Sequence, residues 1–129
     1  MRVFAIVGML ALVGCAATNL VGIESESEPW RPVFRVTDAS GRGAVRWVYG
    51  LSVVTCGTDS AEWTIAATGD APTPTRIVYG EAPRGFVSRV GPEPLRPGCY
   101  EVYVSESRGA RFRIGRDGRV AGDALVTVR

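Results

Sequence analysis

From Trp30 onward, hydrophobic positions come in short runs that alternate with polar ones. Val45, Trp47, Tyr49, Leu51 and Val53 share one parity, and so do Tyr100, Val102 and Val104. A period of two places such residues on one face of a pleated strand, so both sets are predicted core faces. No window carries the i, i+3, i+4, i+7 apolar stripe of an amphipathic helix. Clusters of Gly, Pro, Asp and Ser bound the runs. Strands are expected at 33–37, 44–56 with a break at Gly50, 62–67, 76–79, 86–90, 99–105, 111–114 and 125–128, with 119–121 as a short extra partner. About seven or eight short strands over residues 30–129 point to an all-β fold: a small antiparallel β-sandwich, with a small barrel as the alternative.

The breaks have chemical causes. Asp117-Gly118 supplies the positive φ of a tight hairpin between Ile114 and Val120. Asp38 to Gly43 is a second turn cluster, and Pro92, Pro94 and Pro97-Gly98 stiffen the approach to the strand at Cys99. Trp47, Trp63, Phe86 and Tyr100 are expected to pack in the core, and the alternative for them is a ligand-stacking platform.

The amino terminus differs. Arg2 is the sole charge before Glu24, and Val3 to Val13 is apolar. As a helix such a run is roughly 16 Å long, against the ~30 Å of a bilayer core. It fits the apolar region of a secretory signal better than a spanning helix. The run ends in Leu12-Val13-Gly14-Cys15, which resembles the lipobox of bacterial lipoproteins. That resemblance implies cleavage between Gly14 and Cys15, with residues 1–14 removed as a signal peptide. It also implies a diacylglyceryl thioether on Cys15 and, in most members, an acylated new amine (palmitate being the usual chain). Several acyl chains on one residue would make a durable anchor, whereas one chain binds only marginally. An ordinary signal peptide with an incidental cysteine is the alternative. Ala16, where an aspartate resembles an inner-membrane retention signal, favours the outer membrane. Residues 15–29, ending in the acidic and serine-rich Glu24-Ser25-Glu26-Ser27-Glu28-Pro29, are expected to be a flexible tether or, alternatively, an acidic docking motif.

With Cys15 assigned to the lipid, Cys56 and Cys99 remain. In an oxidising compartment they are expected to form a disulfide, with two free thiols as the alternative. Both lie off the parity of their apolar neighbours, which suits a staple beside the core.

Composition narrows the chemistry. The 129 residues contain no histidine and no lysine, so all 15 basic residues are arginine. Most histidine-dependent acid–base, nucleophilic and metal chemistry and all lysine Schiff-base chemistry are excluded. A net charge of +2 argues against a nucleic-acid partner. No cofactor or metal site is expected. Paired carboxylates remain as a catalytic device, but no spacing singles out two of Asp38, Asp59, Glu62, Asp70, Glu81, Glu93, Glu101, Glu106, Asp117 and Asp123. Arg111, Arg113 and Arg116 form a candidate interaction face, and guanidinium forks suit phosphates and carboxylates. The bland alternative is a charged outer face that deters aggregation.

The stretch Leu95-Arg96-Pro97-Gly98-Cys99-Tyr100-Glu101-Val102-Tyr103-Val104 resembles the L-x-P-G-x-Y-x-V-x-V entry to a late strand of immunoglobulin-like and fibronectin-like bacterial domains. That resemblance implies an Ig-like sandwich with Tyr100 as its corner tyrosine, although in true immunoglobulin domains the tyrosine precedes the cysteine. Ser107-Arg108-Gly109-Ala110-Arg111-Phe112 resembles a segment of membrane-bound lysozyme inhibitors. The expected function is therefore a lipid-anchored cell-envelope binding or structural module, not an enzyme, with an envelope protein or glycan as partner. The alternatives are an inhibitor of an envelope hydrolase and, beyond it, a carboxylate-dependent hydrolase.

Overall fold

The computed structural model describes residues 19–38, 48–69, 73–105 and 107–122. Among them are nine strands: β1 (Asn19–Ile23), β2 (Val33–Asp38), β3 (Gly50–Thr55), β4 (Ala61–Ala67), β5 (Arg76–Val78), β6 (Phe86–Val90), β7 (Gly98–Val104), β8 (Ser107–Ile114) and β9 (Val120–Gly122). All pairings are antiparallel. They form a three-stranded sheet, β1-β2-β5, and a six-stranded sheet, β6-β4-β3-β7-β8-β9. The arrangement is the expected all-β sandwich.

Alternation builds the core. Phe34, Val36 and Ile77 face inward from the small sheet, and Leu51, Val53, Trp63, Ile65, Val102 and Phe112 from the large one. The Phe34 and Phe112 rings meet between the layers with centroids 5.7 Å apart, and Tyr100 stacks on Phe112 at 5.5 Å. Such pairs add specificity of geometry to the burial of apolar area. Trp63, Phe86 and Tyr100 are buried as expected. At Gly109 β8 leaves no room for a side chain, because a Cβ there would lie 1.3 Å from the Val102 carbonyl oxygen of β7.

Three expectations change. The flexible tether does not run to residue 29: Asn19–Ile23 pairs with β2 along its whole length, and Val21 is 2% exposed. The few apolar residues there suffice because strand pairing satisfies their backbone while Val21 fills the core. Residues 24–32 are fixed as well. Ser27 Oγ donates to the Glu24 carbonyl and accepts from the Val33 N–H, and the Trp30 N–H donates to the Gly118 carbonyl. Of the strand expected at 44–56 with a break at Gly50, the part from residue 48 is described, and there β3 starts at Gly50; Tyr49, just before it, is 38% exposed and does not share the core face of Leu51 and Val53. The alternation of a strand does not bind a residue that precedes it. β8 also begins four residues before the 111–114 expected. Trp47, Val45, the turn at 39–43 and the strand expected at 125–128 lie outside the described residues.

Candidate functional site

The sandwich has two ends, and the strand directions define them. β1 runs alongside β8 in the same sense: a Cβ on Gly109 would touch Val21, and one on Gly122, which pairs with Phe112, would touch Ile23. One end therefore collects Asn19, Gly50, Ala67 and Val104. The other collects residues 24–32, the β3–β4 turn, the start of β7 and the β8–β9 turn.

That second end holds the disulfide. Cys56 and Cys99 are bonded, with Cα atoms 5.4 Å apart and a separation of 43 in sequence. Thr55 pairs with Tyr100, so the bond joins adjacent strands of one sheet, beside the core as expected. An immunoglobulin disulfide instead crosses between sheets. The Cys56 N–H donates to the Cys99 carbonyl at 3.0 Å.

One residue further on, Tyr100 closes a tyrosine corner. Its hydroxyl donates to the Arg96 carbonyl at 2.7 Å and accepts from the Arg96 N–H at 2.9 Å. Residues 96–98 are thereby clamped onto β7. Tyr79 clamps the preceding stretch: its hydroxyl donates to the Glu93 carbonyl, and its ring meets Trp63 edge-on at 5.3 Å. Burial, followed by the nearby negative charge of Glu62, pushes the Tyr79 phenol well above its ordinary range, so it stays a hydrogen-bond donor.

Between these clamps lies a cleft of about 440 Å³ lined by Thr55, Glu62, Glu93, Arg96, Cys99 and Tyr100, among others. The Thr55 hydroxyl donates to the Glu62 carboxylate at 3.0 Å. Its wall thus offers carboxylate acceptors and a guanidinium donor, a set suited to polar ligands with hydroxyl or amide groups. A second cleft, of about 300 Å³, is lined by Glu26, Glu28, Arg31, Arg76 and Glu81, with Val33 and Val78. Arg31 pairs with Glu81 and with Glu28, and Glu24 pairs with Arg35 and Arg76. Desolvation alone would raise the Glu24 pKa, but hydrogen bonds and charge from Arg35 and Arg76 prevail and hold the carboxyl below its usual range. Trp30, at φ 64°, lies across Gly118 at the hairpin tip and is 37% exposed.

The candidate arginines divide. Arg111 and Arg113 point outward from β8, between the buried Ala110, Phe112 and Ile114, and Arg111 pairs with Glu101 at 3.2 Å. Arg116 is exposed in the β8–β9 turn. Gly14 and Cys15 lie outside the described residues. Among the described residues no three His, Cys, Asp or Glu side chains gather as metal ligands. Sequence reading missed Trp30, Tyr79 and the Glu24 cluster, whose partners lie 11 to 52 positions away for Glu24 alone, a distance no local pattern reports. Comparison with known protein families, curated proteins and solved structures finds no match to this chain.

Proposed function

We propose that this chain is a lipid-anchored cell-envelope protein, with the outer membrane favoured, and that its β-sandwich is a binding or structural module rather than an enzyme. The Leu12-Val13-Gly14-Cys15 motif carries the reading. The Cys56–Cys99 disulfide supports it, since such bonds persist in oxidising compartments. The partner is an envelope protein or glycan, met at the end that holds the two clefts. The intact mass of the protein purified from bacterial membranes tests the anchor. Loss of residues 1–14 with a diacylglyceryl adduct on Cys15 is expected, and Cys15→Ala should move the protein from the detergent phase to the aqueous phase. A native product that retains Met1 and partitions into buffer would end the proposal.

A carboxylate-dependent hydrolase is a second reading with one observation in its favour: Glu62 and Glu93 line the same cleft. Turnover of envelope glycan that Glu62→Gln and Glu93→Gln each abolish would establish it, and no turnover by the wild type would remove it. For an inhibitor, Phe112–Ile114 of β8 are paired on both sides, with β7 and β9, and the exposed turn after Ile114 is the tip that would be inserted. Loss of inhibition in Arg111→Ala would be its signature.

A further inference from the structure

Only three residues separate Cys15 from Asn19, where β1 begins. Four residue steps span at most about 14 Å when fully extended. The sandwich is longer than that. β8 alone, with 8 residues, runs on the order of 24 Å along the strand axis; the larger cleft lies at its far end, and the smaller one extends along the flank from the 24–32 loop to Arg76, level with Gly22.

We infer that the membrane-facing end of this domain is fixed by the length of its leash: the Asn19 end rests against the lipid headgroups, and the end with the clefts, the disulfide and Trp30 is presented to the aqueous space. The inference rests on the lipid anchor proposed above and adds to it an interaction surface with a phospholipid bilayer. The domain can tilt about its attachment point, but it cannot invert. Inversion would carry Asn19 at least ~24 Å from the headgroups, farther than a leash of ~14 Å allows. The bilayer excludes the domain from its own volume, so across all permitted tilts the cleft end lies on average farther out. A partner for the cleft at the Cys99 end therefore approaches from solvent and not from the lipid.

The test uses full-length protein, processed in bacterial membranes and returned to vesicles of phosphatidylethanolamine and phosphatidylglycerol that carry a headgroup-region quencher. Because Cys56 and Cys99 are bonded to each other and Cys15 carries lipid, a single introduced cysteine is the only free thiol. Thr68→Cys places a fluorescent label at the Asn19 end, and Asp59→Cys places one at the cleft end; both positions are exposed. Quenching several-fold stronger at position 68 than at 59 is expected. Inserting ten Gly/Ser residues after Ala17 raises the reach to ~50 Å and should shrink that difference. Equal or reversed quenching in the short-leash protein would overturn the inference while leaving the anchor intact. A difference that survives the insertion would overturn the leash as its cause. An intact mass without the lipid would overturn both the anchor and the orientation.

Discussion

The two ends of this sandwich are held by different means. Among the described residues, the Asn19 end relies on ladder hydrogen bonds, on buried aliphatic side chains such as Val21, Val36 and Val104, and on two hydroxyl contacts, Thr68 donating to the Gly85 carbonyl and Ser105 accepting from the Tyr49 N–H. The cleft end adds a disulfide, two tyrosine hydroxyls bonded to main chain, and a tryptophan laid on a glycine. Loops usually gain freedom at the ends of a sheet. Here the loops at one end are clamped more heavily, by a covalent bond and buried rings, and those are the loops that line the clefts. Rigid walls are what a binding surface needs, because ordering them is then not charged against the ligand. The difference between the ends thus agrees with the proposal that a partner is met at the clefts.

Trp63→Ala should have the largest effect, because Trp63 is fully buried and serves the clamped end through Tyr79. Removing it should destabilise the fold by about 3–5 kcal/mol in urea unfolding. Cleaving the disulfide comes next. Cys56→Ser with Cys99→Ser removes a loop constraint worth at most about 4 kcal/mol in the chain-entropy model. Amide exchange should then accelerate at residues 96–99 far more than at residues 19–22. Uniform acceleration would mean that the two ends are not mechanically distinct.

Much of this end was legible in sequence. The Leu95 to Val104 pattern announces the corner that Tyr100 forms, and counting cysteines pairs Cys56 with Cys99. The alternation of Tyr100, Val102 and Val104 places the central strand. What sequence hid was long-range. Leu20, Val21 and Ile23 looked too sparse to fold because their partners on β2 and β8 supply the missing stabilisation. Trp30 and Gly118 lie in separate turns far apart in sequence, and the bond from the Trp30 N–H to the Gly118 carbonyl joins those turns only in the folded chain. Glu62 and Glu93 come to one cleft because the Glu93 N–H donates to the Glu62 carbonyl, a pairing no spacing rule encodes.

Smaller perturbations sharpen the contrast. Tyr100→Phe keeps the ring and deletes both corner hydrogen bonds, leaving the Arg96 main chain short of partners, which should lower stability by about 1–3 kcal/mol. Gly118→Ala should act at the same end by another route. Gly118 has φ 85°, and an added methyl would lie 2.3 Å from the Trp30 indole nitrogen. The ring must lift, so indole emission should shift to longer wavelength, with a loss of stability near 1 kcal/mol. An unchanged spectrum would show that Trp30 does not rest on the hairpin.

The smallest expected effect is electrostatic and depends on pH. Glu24 opens the 24–32 loop, and its carboxyl is held below the usual carboxylate range by Arg35 and Arg76. A carboxyl whose folded pKa is depressed binds protons more readily when unfolded, so it stabilises the fold above its unfolded pKa. That contribution fades as pH falls through the folded value. Because Arg35 and Arg76 are more than half exposed, solvent screens the pair and its worth stays within about 1 kcal/mol. Glu24→Gln should therefore lower stability slightly at pH 7, and the difference should shrink as the solution is acidified through the folded value. Added salt should shrink the pH 7 difference further. If the variant instead lost as much on acidification as at pH 7, the Glu24 side chain would be holding the loop by packing rather than by charge.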